Sequence, residues 1–297
     1  MTSTQRVRDL ASVTSEAGRT WSTGSSRFTS DFLHTTLGKL GTPVFRLGLS
    51  ATYWPGRSTI RRALDAGVNY FFYFGFDVQM TRALREVVRS QREQFVLATG
   101  AYNYVWTHQN LRRTLERRLR QIGTDYIDLF HFLGIMHPEE FNTRVRDEME
   151  QVRRSGLVRG VAISCHDRAF AAQLAKEGVV DGLMIRYNAA HRGAESEIFP
   201  HLPNPKPAVV SYTATRWTAL IRRPAGYPKD GRIPTAGLCY RFALSNPHVD
   251  VCLSAPRNPG QLDENLAELR RGALDEEEMR FMREFGDLVY RKYKYFL

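Results

Sequence analysis

Apolar residues along this chain gather into short dense runs that alternate with longer stretches of helical period. Runs of Val, Ile, Leu and aromatic residues without polar alternation have the pattern of strands buried on both faces. The run Asp125-Tyr-Ile-Asp-Leu-Phe-His-Phe-Leu133 has this pattern, and it follows a helical stretch in which Leu111, Leu115 and Leu119 share one face. By the same reading, strands are expected at 42–50, 68–74, 94–100, 125–133, 157–164, 182–187, 208–212 and 249–254. Helices are expected at 58–66, 80–90, 107–122, 138–155, 169–177 and 235–245, with a helical region at 261–285 interrupted near Gly272. Ser58 is placed to cap the first helix and Gly67 to close it.

Eight strands alternating with helices in one domain of this length are the pattern of an α/β protein of the (β/α)8 barrel class. Such a barrel keeps its chemistry at the carboxyl ends of its strands, where the loops form the ligand crevice. Residues 1–40, rich in Ser and Thr and poor in aliphatic clusters, read as a mobile N-terminal extension with a short helix near 30–36. Residues 41–297 then form a single barrel domain.

Composition narrows the picture. At 297 residues, 42% hydrophobic and 25% charged, the chain suffices for one large core. No apolar run reaches the roughly 18 residues that cross a bilayer, and the first residues lack a basic-then-apolar leader pattern, so a cytoplasmic location is expected. Cys165, Cys239 and Cys252 are odd in number and widely spaced, which argues against a disulfide framework or a metal knot and reads as reduced core thiols. A net charge of +11 admits an anionic partner such as nucleic acid. The basic residues are instead dispersed over helices, as with Arg112, Arg113, Arg117, Arg118 and Arg120, the pattern of solvated faces.

Seven segments narrow the fold to a family. Gly67-Val-Asn-Tyr-Phe, Asp125-Tyr-Ile-Asp-Leu-Phe, Gly156-Leu-Val-Arg-Gly-Val-Ala-Ile-Ser164, Tyr187-Asn188, Ser211-Tyr212, Asn246-Pro247 and Pro256-Arg-Asn-Pro-Gly-Gln-Leu-Asp-Glu-Asn265 stand in order and spacing similar to the aldo-keto reductases. The chain resembles that family from about Gly41 to Phe285. The resemblance implies hydride transfer between a nicotinamide nucleotide and a carbonyl or alcohol. A Tyr would serve as general acid, a Lys would lower its pKa, an Asp would hold the Lys, and a His would orient the carbonyl. Such a set answers a physical need, because a phenol with a pKa of about 10 exchanges its proton poorly near neutrality without a cation beside it.

The chain departs from that set. Phe72 stands where the resemblance expects the Asp, Gly100 where it expects the Lys and Leu133 where it expects the His. Where the resemblance expects the Tyr, the loop offers Phe74, Asp77 or, by slippage, Tyr73. His131 lies two residues before Leu133 and shares its strand face, so it is a candidate general acid or a packed core histidine. Asp77 and Tyr73 are candidates of the same rank, each with an alternative as loop or packing residue. His166 and Cys165 lie at another strand end, Cys165 being reactive only with a lowered pKa.

The nucleotide-binding features survive better. The resemblance assigns Ser164 to the nicotinamide amide, although Cys165 and Met184 replace its usual Asn and Gln neighbours, and Tyr212 to the nicotinamide ring. It assigns Arg257, Gln261 and Asn265 to the adenosine 2′-phosphate and adenine of NADP(H), where a helix start beside a cation suits a phosphate. Capping by Asn258 with Pro259 next would explain part of this segment without a ligand. Three functions follow: an NADP(H)-dependent oxidoreductase with non-standard acid–base residues acting on an unidentified small molecule, a non-catalytic NADP(H)- or metabolite-binding sensor or partner subunit, or a basic nucleic-acid binder.

Overall fold

A computed structural model gives the architecture and describes residues 31–102 and 110–293, together with the backbone of a two-residue strand pair at Val13–Thr14 and Thr20–Trp21. Eight parallel strands close into a barrel in chain order: β1 (Leu47–Ser50), β2 (Tyr70–Phe72), β3 (Val96–Tyr102), β4 (Ile127–Ile135), β5 (Val158–Cys165), β6 (Gly182–Arg186), β7 (Ala208–Tyr212) and β8 (Val251–Ser254). Helices α1 (Arg57–Asp65), α2 (Val78–Gln91), α3 (Leu111–Ile122), α4 (Thr143–Arg154), α5 (Arg168–Lys176) and α7 (Ala236–Leu244) each join successive strands. Between β6 and β7 stands only the short α6 (Ala194–Glu197) with a 3-10 turn. After β8, α8 (Pro259–Leu269) and α9 (Glu276–Lys292) are separated at Gly272, whose φ of 84° lies in the left-handed region.

Amphipathic helices cover this barrel because their apolar stripes match its outer face. In α3, Leu111, Leu115, Leu119 and Ile122 are buried against the strands, while Arg112 and Glu116 pair at 2.7 Å on the outer face. The barrel bottom is stitched by one device used four times. Asn69, Asp128, Asp181 and Asp250, near the starts of β2, β4, β6 and β8, accept backbone N–H bonds from Phe45, Leu97, Val161 and Val209 at 2.8–3.0 Å. Cations neutralise the three carboxylates from outside: Arg92 and Arg159 on Asp128, Lys39 and Arg153 on Asp181, and Lys206 on Asp250. Buried carboxylates require such partners.

The same end is closed by an antiparallel hairpin of His34–Leu37 and Thr42–Phe45. Leu37 and Val44 are buried among Val96, Leu129, Ala208 and Val251 of the interior. The tip approaches the barrel so closely that a Cβ on Gly38 would lie 2.4 Å from the Ala208 nitrogen. The helix expected near residues 30–36 is therefore corrected to a strand, since Thr35 and Thr36 pair with Val44 and Pro43. The hairpin straddles the boundary expected between residues 40 and 41. The strand expected at 42–50 is two strands, because the chain leaves the hairpin and enters the barrel at Arg46, whose guanidinium donates to the Leu244 and Val249 carbonyls. Helix α1 is capped at Gly56 and not at Ser58, which lies in its first turn. The expected helix start at 107–109 lies outside the described residues.

Two further observations bear on the whole molecule. Arg241 of α7, 2% exposed, forks onto Glu278 of α9 and reaches Glu268 of α8, clamping the three helices. No helix among the described residues is long and apolar enough to cross a membrane.

Candidate active site

The carboxyl ends of the strands open onto one mouth with two unlike walls. On the β2–β4 side the wall is aromatic. Phe72, at the end of β2, meets Phe74 edge-on at 5.2 Å, and Phe74 stacks on Phe76 at 5.3 Å and on Tyr102 at 6.0 Å. Trp54, from the loop after β1, leans on Phe76 at 5.8 Å. Trp54 and Phe76 are 60% and 58% exposed, an apolar rim of the kind that marks ligand or partner contact.

Phe72, Gly100 and Leu133 belong to this wall, on adjacent strands. Gly100 has no room for a side chain: a Cβ there would lie 2.4 Å from the His131 carbonyl oxygen and 2.9 Å from the His131 Cβ. His131 sits one layer below Leu133, fully buried, with its ring edge-on to Phe72 at 5.5 Å. Its Nδ1 is 3.1 Å from the Thr99 carbonyl, which can only accept, so Nδ1 carries the proton and Nε2 is a buried lone pair without a partner among the described residues. Burial holds its pKa down, at about 4.

That depressed pKa sets a stability profile. An unfolded histidine takes its proton as pH falls below about 6.5, whereas the folded one resists until about 4, so stability is present at neutral pH and lost as pH falls through that window. The whole effect is worth up to about 3 kcal/mol. His131→Leu should therefore lose less stability than the parent between pH 7 and pH 4.5 in urea unfolding. Parallel acid profiles for the two proteins would show that His131 is not the group responsible.

Tyr73 and Asp77 stand away from the mouth. Tyr73 points outward into the layer between barrel and helices, where its hydroxyl donates to the Arg118 carbonyl at 3.4 Å and burial drives its pKa far above the ordinary phenol range. Asp77 is 2% exposed and turned onto its own loop, accepting from the Phe74 N–H at 2.9 Å and the Thr81 hydroxyl at 3.3 Å. Burial raises its carboxyl above the usual range against those bonds. The cysteines are free and buried. Burial pushes the Cys165 thiol up to about 12, which keeps it from acting as a nucleophile near neutrality. Among the described residues no cluster of three or more His, Cys, Asp or Glu could hold a metal.

The β5–β7 wall is polar. Ser164 and Met184 pair across β5 and β6, which brings His166 and Arg186, two residues further along each chain, side by side. The Arg186 guanidinium lies 2.7 Å from His166 Nδ1. Arginine can only donate, so His166 Nδ1 accepts, leaving a neutral ring with its proton on Nε2. Burial, then the Arg186 charge, lowers the His166 pKa. Burial raises the Tyr212 phenol, while the Arg186 charge and hydrogen bonding from Ser164 and Arg186 work the other way. This Arg186 pair escaped the sequence reading, because its members are 20 residues apart and only the strand register unites them.

Beside Tyr212 lies a pocket of about 90 Å³ lined by Ser50, Tyr53, Thr213, Trp217 and Ser254 among others. Tyr53 and Trp217 close over it edge to face at 6.2 Å. In the loop after β7, Thr213, Arg216, Trp217 and Thr218 all have φ between 48° and 73°, costly for side-chain-bearing residues and typical of segments shaped around a function. Arg257, exposed at the rim, lies 5.5 Å over the Tyr53 ring, and among the described residues it forms no ion pair. Asn258 caps α8 by accepting from the Gln261 N–H at 2.9 Å, and Gln261 Oε1 accepts from the Arg257 N–H at 2.9 Å. Asn265 is buried one turn on.

Comparison with known proteins agrees with this geometry. The model of the aldo/keto reductase family matches residues 56–223. The aldo-keto reductase YhdN of Bacillus subtilis (strain 168) is 25% identical over 206 residues, a match spanning 60% of this chain and 61% of that relative's length. Among solved structures, the holo form of aldo-keto reductase AKR11C1 from Bacillus halodurans superposes with a TM-score of 0.69 at 18% identity, over 85% of this chain and 95% of that one. An aldo/keto reductase from Klebsiella pneumoniae in complex with NADP and acetate superposes with a TM-score of 0.67 at 18% identity and the same coverage. With a matching family model over more than half its length and a barrel of the matching fold, the chain belongs to the aldo/keto reductase family.

Proposed function

We propose that this chain is an NADP(H)-dependent oxidoreductase of its family, acting on a carbonyl or alcohol with acid–base groups other than the family's Asp, Tyr, Lys and His. One observation carries the nucleotide: Arg257 stands exposed, without an ion pair among the described residues, at the start of α8, at the rim of the pocket beside Tyr212. The residues fit the group unevenly. At the adenosine end, Arg257, Gln261 and Asn265 supply a cation and amides beside the free N–H groups of a helix start. At the nicotinamide end, Tyr212 supplies the ring face and Ser164 a hydroxyl, while Met184 and Cys165 leave the amide fewer partners. A bound nucleotide would supply hydride. The chain's own residues must then bind, orient and manage the proton, for which the Arg186, His166 and Tyr212 side is the polar wall available. Free buried thiols suit a cytoplasmic setting.

A second reading, a non-catalytic NADP(H) or metabolite binder, is favoured by Phe72, Gly100 and Leu133, none of which can move a proton. Nucleotide titration with wild type and Arg257→Ala tests what the two readings share. A charge-assisted hydrogen bond is worth roughly 1.5 to 3 kcal/mol, so Arg257→Ala should weaken NADPH binding about 10 to 100-fold and leave NADH binding nearly unchanged. Equal losses for both, or no binding of either by wild type, would reduce this segment to a helix cap.

A further inference from the structure

We propose that Arg186 is the anchor of a carboxylate subsite in the barrel mouth, and that the ligand it selects carries its carboxylate on a planar apolar body. The inference deepens the reading above, resting on it only for placing the substrate in this mouth.

Three observations carry it. First, Arg186 is a partly buried cation to which no carboxylate is paired among the described residues. Its basic neighbours are otherwise engaged: Arg168 pairs with Glu197 at 2.8 Å, and Arg216 donates to the carbonyls of Val289 and Tyr293 at the end of α9. Second, the partners Arg186 does have are uncharged: the Tyr212 phenol, and the imidazole of His166, which spends one acceptor on the guanidinium and leaves its Nε2 proton to donate. An Arg that has taken a histidine lone pair in place of a carboxylate keeps its full charge, and a half-buried unneutralised charge is costly unless a ligand anion completes it. Third, the opposite wall is the aromatic stack of Phe72, Phe74, Phe76 and Tyr102, which offers ring faces to a flat apolar body.

Charge count chooses carboxylate over phosphate. With Arg216 Nη1 and Nη2 held by the Val289 and Tyr293 carbonyls, the guanidinium placed to take an anion is that of Arg186 beside a neutral imidazole, which matches a monoanion, and the planar fork of arginine matches the two oxygens of a carboxylate. A phosphate would call for further cations or a nest of backbone N–H groups.

The test compares 2-naphthoate with 2-naphthamide, equal in shape and different in charge, titrated by fluorescence into wild type, Arg186→Met and Arg186→Lys, each checked for cooperative thermal unfolding. Wild type should bind the acid at least about 10-fold tighter than the amide. Arg186→Met should bring the two within about 3-fold by weakening the acid alone, and Arg186→Lys, which keeps the charge and loses the fork, should fall between. Equal binding of acid and amide by wild type, no binding of either, or a preference that survives Arg186→Met would overturn the proposal. The same proteins are titrated with NADPH. If Arg186→Met weakens NADPH binding while the naphthoate preference persists, Arg186 serves the nucleotide's phosphates and the subsite is wrong. If wild type fails to bind NADPH but shows the Arg186-dependent preference, the nucleotide reading fails and the carboxylate subsite stands.

Discussion

Gly100→Lys, the substitution that would put back the lysine the family resemblance expects, should leave a protein that scarcely folds and does not reduce aldehydes. The first obstacle is steric. A Cβ at this position meets the His131 carbonyl oxygen at 2.4 Å and the His131 Cβ at 2.9 Å, both fixed parts of the neighbouring strand, so β3 and β4 would have to separate in the middle of a closed barrel. Overpacking of that kind costs about 1–3 kcal/mol or more, which Gly100→Ala should show by itself. The second obstacle is electrostatic. The new ammonium would enter a wall built from Phe72 and Leu133, with no carboxylate to receive it, and an unpaired buried charge adds several kcal/mol. Urea unfolding of the Ala and Lys variants separates the two, with Lys expected well below Ala and Ala below wild type. Adding Phe72→Asp would supply the partner but not the space, so the double variant should remain less stable than Gly100→Ala. A Gly100→Lys protein as stable as its parent would show that the strand spacing yields, and the steric argument would fall.

Much of this architecture was legible in the sequence, because a strand buried on both faces has to be a continuous apolar run and a covering helix has to be striped. The strand at 208–212 has the same limits in both readings, since Pro207 before it and Thr213 after it leave little latitude. The N-terminal hairpin was not legible. Its strands are four residues each and rich in Thr, and what holds them is a distant partner, the barrel bottom around Ala208 and Val251. At the mouth, the departures at residues 72, 100 and 133 could be located by order along the chain, but not the reason Gly100 is tolerated, which is the approach of another strand. Tyr73 and His131 show how two side chains diverge: alternation turns Tyr73 toward α3 and His131 into the barrel, and neither lies open to the mouth. Arg186 and His166 were each visible as residues, but their contact follows only from the pairing of β5 with β6.

Reduction of a simple aldehyde such as benzaldehyde with NADPH should run at least 10² to 10⁴-fold more slowly than the turnover of roughly 10 per second that is ordinary for enzymes. Hydride arrival turns the carbonyl oxygen into an alkoxide, and the rate depends on what stabilises that charge and delivers a proton to it. On the wall where the family resemblance expects these groups there is a phenylalanine ring, a glycine and a leucine, and the histidine behind them is buried with its pKa near 4. Tyr212 keeps its proton, since burial raises its pKa, and His166 has its Nδ1 committed to Arg186. Either could assist only a substrate whose oxygen is brought to the β5–β7 side. An aldehyde with nothing for Arg186 to hold has no reason to sit there, whereas 4-carboxybenzaldehyde has. The acid should therefore show a lower KM than benzaldehyde under equal conditions, and Arg186→Met should remove that advantage. Following NADPH absorbance with both aldehydes decides between the readings. Turnover of benzaldehyde near 10 per second would mean a working proton donor exists in the mouth that the geometry does not reveal, and zero turnover of both, with NADPH bound, would leave the non-catalytic binder as the function.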